Sequence, residues 1–356
     1  MKLSQFRFNL PKELIAQYPA VYRDDARLLV LHKSSGDVEL KQIPDMLDYF
    51  DEGDHFIFND TKVFPARLFG TKERTGADIE VFLLRELNSD TKYWDVLVDP
   101  ARKIRIGNKI YFGNDNSIIA EVIDNTTSRG RTLRFLTDYE PDEFRTRLFA
   151  LGHTPLPKYI HRDPANPDER DAEDAERYQT IFAKNEGAVA VPASGLHFSR
   201  SMFKRMEIHG IDWSFITSHI GLGNFKSIDV EDLTKHKMDS ERVTISQAVV
   251  DKIEKQHAEE RKICAIGTDV MRLLEAVVGT NGHVKAFDGW TNKFIFPPYD
   301  FSVAQAMLVN FYLPYSTQLM MSCAFGGYEN VMHAYEVAIS EELQFGDYGD
   351  AMLIVD

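Results

Sequence analysis

Across residues 63–136, apolar residues come in short runs of the kind that form β-strands. The runs are 79–83, 94–98, 109–112, 118–123 and 132–136, each rich in β-branched or aromatic residues. Thr75-Gly76, Asn88-Ser89-Asp90, Ile106-Gly107-Asn108, Gly113-Asn114-Asp115-Asn116 and Ser128-Arg129-Gly130 separate them. Such residues accept positive φ or hydrogen-bond their own backbone, so they reverse the chain. Strands repeating at roughly ten-residue spacing predict a small antiparallel barrel or sandwich.

From about Ser199 the pattern becomes alternating helix and strand. Residues 199–209 and 246–259 place apolar side chains at helical spacing, with Ser199 as an N-cap. Residues 262–266 form a short buried strand, followed by Gly267-Thr268 and a helix over 269–278 capped by Thr268. Residues 293–296 and 306–311 are predicted strands, and 328–343 the longest clear helix. Runs 27–31 and 56–58 also look like buried strands; paired with the C-terminal half, they make the small β unit an insertion in an α/β fold. Residues 163–176 hold seven acids and two prolines without an apolar period. They are expected to form a surface loop whose acids repel phosphate.

Charge sharpens this picture. The chain has 41 Lys+Arg against 55 Asp+Glu, a net −14 over 356 residues, which disfavours general nucleic-acid binding. Residues 61–150, with fifteen basic and fourteen acidic side chains, are close to neutral and can still present a basic face. Cys264 and Cys323 lie in apolar stretches far apart in sequence, consistent with core packing in a reducing compartment. No run approaches the ~20 apolar residues of a membrane span, and Met1 to Phe6 carries no signal-peptide stretch, so a cytoplasmic location without membrane contact is expected.

Candidate chemistry gathers at turns between elements. Residues 192–199 form a small-residue turn into a helix start; Gly195 lets a ligand approach, and His197 can bind a base or move a proton. An ordinary strand-to-helix turn has the same appearance. Gly221 and Gly223 lack the third glycine of a dinucleotide fingerprint, and no phosphate-binding GxxxxGK motif occurs. Thr268 follows a buried strand at the edge where open α/β sheets bind ligands. Arg272 and Glu275 are spaced to pair with each other. The segment His236-Lys237-Met238-Asp239-Ser240-Glu241 has no second histidine at i+4, and no metal cluster, Ser-His-Asp order or nucleophile elbow stands out.

Together these segments resemble the S-adenosylmethionine:tRNA ribosyltransferase-isomerase family of queuosine biosynthesis. The resemblance runs from Leu14-Ile15-Ala16-Gln17-Tyr18-Pro19 to Tyr348-Gly349-Asp350-Ala351-Met352-Leu353. Between them stand Asn59-Asp60-Thr61-Lys62-Val63, Pro65-Ala66-Arg67-Leu68, Pro155-Leu156-Pro157-Lys158-Tyr159-Ile160, Gly195-Leu196-His197-Phe198 and Phe325-Gly326-Gly327-Tyr328-Glu329-Asn330. It implies a larger α/β domain, residues 1–60 and 151–356, with a small antiparallel β-barrel domain, 61–150, inserted.

The implied reaction moves the ribosyl part of S-adenosylmethionine onto the aminomethyl group of a 7-deazaguanine in a tRNA anticodon stem-loop. The sugar isomerises to an epoxy-cyclopentanediol, adenine and methionine leave, and no metal is expected. A base must take the proton beside the sulfonium, and a further group must help adenine depart. Candidates are His197 and His219 as acid or base, with Asp60 or Glu241 as base or charge partner. Asn59, Arg67, Gly195, Gly221, Gly223, Thr268, Arg272, Asn310 and Tyr312 are expected to position substrate. Arg102, Lys103, Arg105, Arg129, Arg131 and Arg134 are expected to meet RNA phosphates, in a monomer.

The motifs also depart from the family pattern. Tyr312 stands where the family usually has His, Asp269 where it has Thr, Asp239 where it has His, and Asp347 where it has Ser. The first removes a group that titrates near neutrality. Asp269 and Asp347 add negative charge where substrate anions are expected. These departures keep open an alternative: a relative that binds a nucleoside or RNA without carrying out the reaction.

Overall fold

Residues whose apolar side chains run unbroken, such as Phe56-Ile57-Phe58 and Met352-Leu353-Ile354-Val355, can be satisfied only by burial on both sheet faces. The computed structural model describes residues 1–113, 115–127, 129–162, 167–221, 223, 228–280 and 282–356. In chain order the strands are β1 (Arg27–His32), β2 (Val38–Gln42), β3 (His55–Asn59), β4 (Thr61–Val63), β5 (Arg67–Lys72), β6 (Asp78–Asn88), β7 (Tyr93–Asp99), β8 (Lys109–Phe112) and β9 (Ile118–Asn125). They continue with β10 (Gly130–Phe135), β11 (Asn185–Ala188), β12 (Asp212–Ser218), β13 (Glu241–Ile245), β14 (Ile263–Ile266), β15 (Phe287–Thr291), β16 (Ala306–Asn310) and β17 (Ala351–Val355). The helices are α1 (Pro141–Ala150), α2 (Pro167–Arg177), α3 (Arg200–His209), α4 (Gln247–Ala258), α5 (Thr268–Ala276), α6 (Thr317–Gly326) and α7 (Tyr328–Ser340).

Contacts divide the chain into two units: Met1–Lys62, Pro157–Arg162 and Gln179–Asp356 form one, and Val63–Leu156 with Asp163–Tyr178 the other. The first is α/β. Its nine-stranded mixed sheet has the order β15-β13-β12-β3-β14-β16-β17-β1-β2. β3 is parallel to β12 and β14, and β14 is parallel to β16, so these four strands end on one edge. β1 pairs with β17, which joins the N-terminal strands to the C-terminal ones as the sequence predicted.

Alternation along the strands builds a core on each face. Leu29, Leu31, Ile57, Ala265, Met307, Met352 and Cys323 belong to one, with Met271, Leu274, Met320 and Tyr335 of α5, α6 and α7. Leu28, Val30, Phe56, Phe58, Cys264 and Leu353 belong to the other, with Met202 and Met206 of α3. Both cysteines are free and buried, as core packing requires.

The second unit holds a closed antiparallel barrel, β10-β7-β6-β5-β8-β9. Trp94, Val96 and Val98 point inward from β7 while their neighbours stay partly open, the alternation seen in the sequence. β5, which closes the barrel, was not among the predicted strands because Gly70 interrupts its apolar face. A Cβ at Gly70 would lie 2.6 Å from the Tyr111 carbonyl oxygen, so the close approach of β8 requires glycine there.

Three local expectations are corrected. Residues 293–296 are not a strand; the pairing segment is β15, an edge strand that needs no continuous apolar run. Residues 167–177 form α2 rather than a loop, because Pro167 opens the helix, Ala and Glu favour it, and Arg177 closes it. Residues 163–166 of that predicted loop lie outside the described residues. The cap of α5 is Gly267, at φ +107°, and Thr268 is the first helical residue. Ser199 does cap α3, accepting from Met202 N at 3.0 Å. Among the described residues no helix is long and apolar enough to cross a membrane.

Candidate functional site

The carboxyl edge shared by β3, β12, β14 and β16 collects most of the buried polar side chains of the α/β unit. Asn59 ends β3 and clips it to β12, its Nδ2 donating to Ser218 O at 2.9 Å and its Oδ1 accepting from Ser218 N at 2.9 Å. The same Nδ2 donates to Asp269 Oδ2 at 2.5 Å, which fixes that carboxylate at the first turn of α5. Asn310 ends β16. Its Nδ2 donates to the carbonyls of Gly346 (3.0 Å) and Asp347 (3.2 Å), so its Oδ1 is left to face His197 Nε2 at 3.0 Å. With the amide oriented this way, His197 Nε2 carries the hydrogen and donates it.

Arg272, one turn into α5, is buried and meets the buried carboxylate of Glu241 rather than Glu275. Glu275 instead accepts from Tyr299 Oη (3.1 Å) and the amides of Ser302 (2.9 Å) and Val303 (3.1 Å). The predicted Arg272–Glu275 pair is therefore corrected: tertiary packing offers each a better partner than its helix neighbour. Glu241 Oε1 also accepts from Gly221 N at 2.9 Å, which ties the glycine turn to the same pair. Gly223 lies close by, while Leu222, Asn224 and Phe225 of that motif lie outside the described residues.

Burial shifts the titrating groups. His197 is pushed down to about 4 by loss of water, with its bond to Asn310 opposing, so it is a neutral imidazole at pH 7. His219 is lowered by desolvation, although the charge of Asp60 pulls it back up; its Nδ1 lies 2.8 Å from Thr61 Oγ1. Asp269 is raised to about 6 by burial against the opposing hydrogen bond from Asn59. Arg272 is lowered to about 10 by desolvation and stays charged. The Tyr312 hydroxyl is raised by burial, although its hydrogen bond to Thr268 opposes this; the charges of Asp269 and Asp347 raise it further.

Two cavities open here. The smaller, about 40 Å³, is lined by Met238, Thr268, Asp269, Arg272, Lys293 and Phe294 among others. The larger, about 470 Å³, is lined by Pro157, Tyr159, Ile228, Pro314 and Tyr315 among others. Tyr312, Thr317, Gln318 and Asp347 line both.

Of the predicted residues, Asn59, Gly221, Gly223, Glu241, Thr268, Arg272, Asn310, Tyr312 and His197 gather along this edge. Gly195 packs tightly, since a Cβ there would lie 3.0 Å from the Phe182 ring and from Thr180. Asp60 is taken up by structure: Asn185 Nδ2 donates to both its oxygens (3.1 and 3.0 Å), and Thr217 Oγ1 donates at 2.6 Å.

Arg67 belongs to the barrel unit. It donates to Leu156 O at 2.9 Å, and its Nε stands 3.2 Å from Glu80. The six basic residues separate into three kinds. Arg102, Lys103 and Arg105 are exposed and make no ion pair among the described residues. Arg129 and Arg134 are paired with Asp99 (3.3 Å) and Glu121 (2.6 Å). Arg131 is buried, its guanidinium donating to the carbonyls of Ala101, Ile104, Thr127 and Gly130. That use leaves Arg131 no face for a phosphate, which corrects its predicted role.

The residues that sequence reasoning passed over are Asp269, Asp347, Lys293 and Gln318. Asp269 and Asp347 were visible only as departures from a motif. Their approach to Tyr312, a third departure, depends on three distant segments meeting.

The model of a family described as queuosine biosynthesis protein matches residues 3–354. A Phocaeicola vulgatus protein named S-adenosylmethionine:tRNA ribosyltransferase-isomerase is 65% identical over 356 residues, covering 100% of both chains. A Parabacteroides distasonis protein of the same name is 63% identical over 355 residues, again with 100% coverage of both. A crystal structure of S-adenosylmethionine tRNA ribosyltransferase from Thermotoga maritima matches with TM-score 0.55 and 27% identity, covering 99% of this chain and 100% of that one.

Proposed function

This chain belongs to the queuosine biosynthesis protein family, and from that premise we infer that it works as an S-adenosylmethionine:tRNA ribosyltransferase-isomerase. It transfers the ribosyl moiety of S-adenosylmethionine to the aminomethyl group of a 7-deazaguanine in tRNA and isomerises it, forming epoxyqueuosine. Full-length identity above 60% to relatives of that name supports this over a relative that only binds. The observation that carries the site is the meeting of Thr268, Asp269, Arg272, Tyr312 and Asp347 around cavities at the sheet's carboxyl edge.

Asp269 is the base. It is held by Asn59, lines the smaller cavity and, at about 6, is ionised at neutral pH yet more basic than an ordinary carboxylate. It takes the proton from the carbon beside the sulfonium, whose positive charge makes that carbon acidic. The base role falls to it because Asp60 and Glu241 are held by structural partners and His197 is a weak base. The Tyr312 hydroxyl, raised by burial, keeps its proton and donates to negative charge that develops on substrate. The His197–Asn310 bond and the Arg272–Glu241 pair hold the floor of the site in place.

The RNA partner is the tRNA anticodon stem-loop, with Arg102, Lys103 and Arg105 on its phosphates, and the chain acts as a monomer in the cytoplasm. The test is adenine release from S-adenosylmethionine with tRNA carrying the 7-aminomethyl-7-deazaguanine. One adenine per modified tRNA is expected. Binding of S-adenosylmethionine without adenine release would overturn the enzymatic reading in favour of a binder.

A further inference from the structure

The two rim cavities differ in size and in what lines them. About 40 Å³ holds a few waters or one small group, whereas about 470 Å³ suits a ligand of nucleoside size. The larger one has the rings of Tyr159 and Tyr315 with Pro157, Pro314 and Ile228 along its wall, surfaces suited to a flat apolar base. Among its described lining residues the one charged side chain is Asp347, on the wall it shares with the smaller cavity. Asp347 is well fixed. Its amide donates to Tyr159 Oη at 3.2 Å, and the Tyr159 hydroxyl, raised far up first by burial and then by this carboxylate's charge, stays protonated and hydrogen-bonds to it.

A sulfonium is a permanent cation with no N–H or O–H to donate. Oxygen dipoles and aromatic faces attract it weakly, and a full negative charge close by attracts it most strongly. We propose that the larger cavity binds the adenosyl part of S-adenosylmethionine, with Asp347 set against the sulfonium at the wall shared with the smaller cavity. This assignment rests on the ribosyltransferase reading and gives the donor an orientation. The sulfonium and its neighbouring carbon come to the wall where the charges of Asp347 and Asp269 both act on Tyr312, and the base sits among the aromatic rings. Asp347 is thus a specificity-determining residue that distinguishes the charged donor from its neutral thioether counterpart.

The experiment is equilibrium binding of S-adenosylmethionine and of S-adenosylhomocysteine to the full-length protein. The two ligands share the adenosyl group and differ in the methyl and the charge. Wild type should prefer the sulfonium by about tenfold or more, and Asp347→Asn should erase most of that preference while leaving thioether affinity nearly unchanged. Equal wild-type affinity for the two ligands overturns the proposal without recourse to any variant. So does an Asp347→Asn, or an Asp347→Ser should Asn not fold, that weakens both ligands alike. Adenine release separates the two levels: if wild type releases adenine but Asp347 does not set the preference, the enzyme reading stands and this orientation falls.

Discussion

The two units treat buried polarity in opposite ways. Among the described residues, the barrel unit buries Arg131, Thr132 and Asp174, and its interior is otherwise apolar. The α/β unit buries Asn59, Asp60, His197, Glu241, Thr268, Arg272, Asn310 and others, largely where parallel strands end. Each such group must be matched or it destabilises the fold. The barrel is a solution to packing. The α/β edge departs from local packing rules where chemistry is needed, which is where a folded sequence is expected to be least consistent with itself.

The largest effect should come from breaking the buried ion pair. Arg272→Met strands the Glu241 carboxylate in a dry setting and should cost about 3–5 kcal/mol in urea unfolding. A loss under about 1 kcal/mol would place the pair among weak surface bridges and remove the contrast between the units. Next, Asp269→Asn should lower kcat about 100-fold or more if it removes the general base. In wild type the rate should rise with pH through about 6 as Asp269 ionises, and the variant should lack that limb. A variant that keeps the limb assigns the base elsewhere.

A third test uses stability against pH. His55 and His197 sit near 4 in the fold against a usual 6.5, both because burial disfavours the charged ring. The unfolded chain therefore binds protons that the folded chain does not. Their contribution is fully present above about 6.5 and is lost as pH falls toward 4, with a slope of about 1.4 kcal/mol per pH unit for each histidine. Asp269, raised from 3.8 to about 6, opposes this within its own window because the fold holds its proton. His55→Gln should flatten the net slope by about one proton, and an unchanged slope would contradict burial as the cause.

The smallest effects belong to the barrel surface. Reversing Arg102, Lys103 and Arg105 to Glu should reduce the salt dependence of tRNA binding by about one unit of slope per lost contact, with little change in stability. Arg131→Ala should do the reverse, leaving the slope alone and lowering stability, because four carbonyls lose their donor. Equal behaviour of the two variants would abolish the distinction between exposed and structural arginines.

Most of the fold was legible because periodicity is a local property. The strands β6 to β10 and helices α3, α4, α5 and α7 follow from apolar spacing and turn residues that neighbours in sequence determine. What escaped depends on tertiary partners: β5 is broken by a glycine that another strand demands, and the edge strand β15 has little burial to announce it. The acidic α2 escaped for a different reason, being held by propensity and capping without an apolar stripe. At the site, Thr268, Arg272, Asn310 and Tyr312 were visible as polar residues after strands. Their partners were not. Arg272 of α5 meets Glu241 of the distant strand β13, and Asp269 owes its position to Asn59, 210 residues earlier.

The most direct test of the central claim is a crystal structure of the full chain with S-adenosylmethionine bound. The account predicts the adenosyl group inside the cavity of about 470 Å³, with the sulfonium within ~4–6 Å of the Asp347 carboxylate. Density for the donor anywhere other than this edge of the α/β sheet would contradict it.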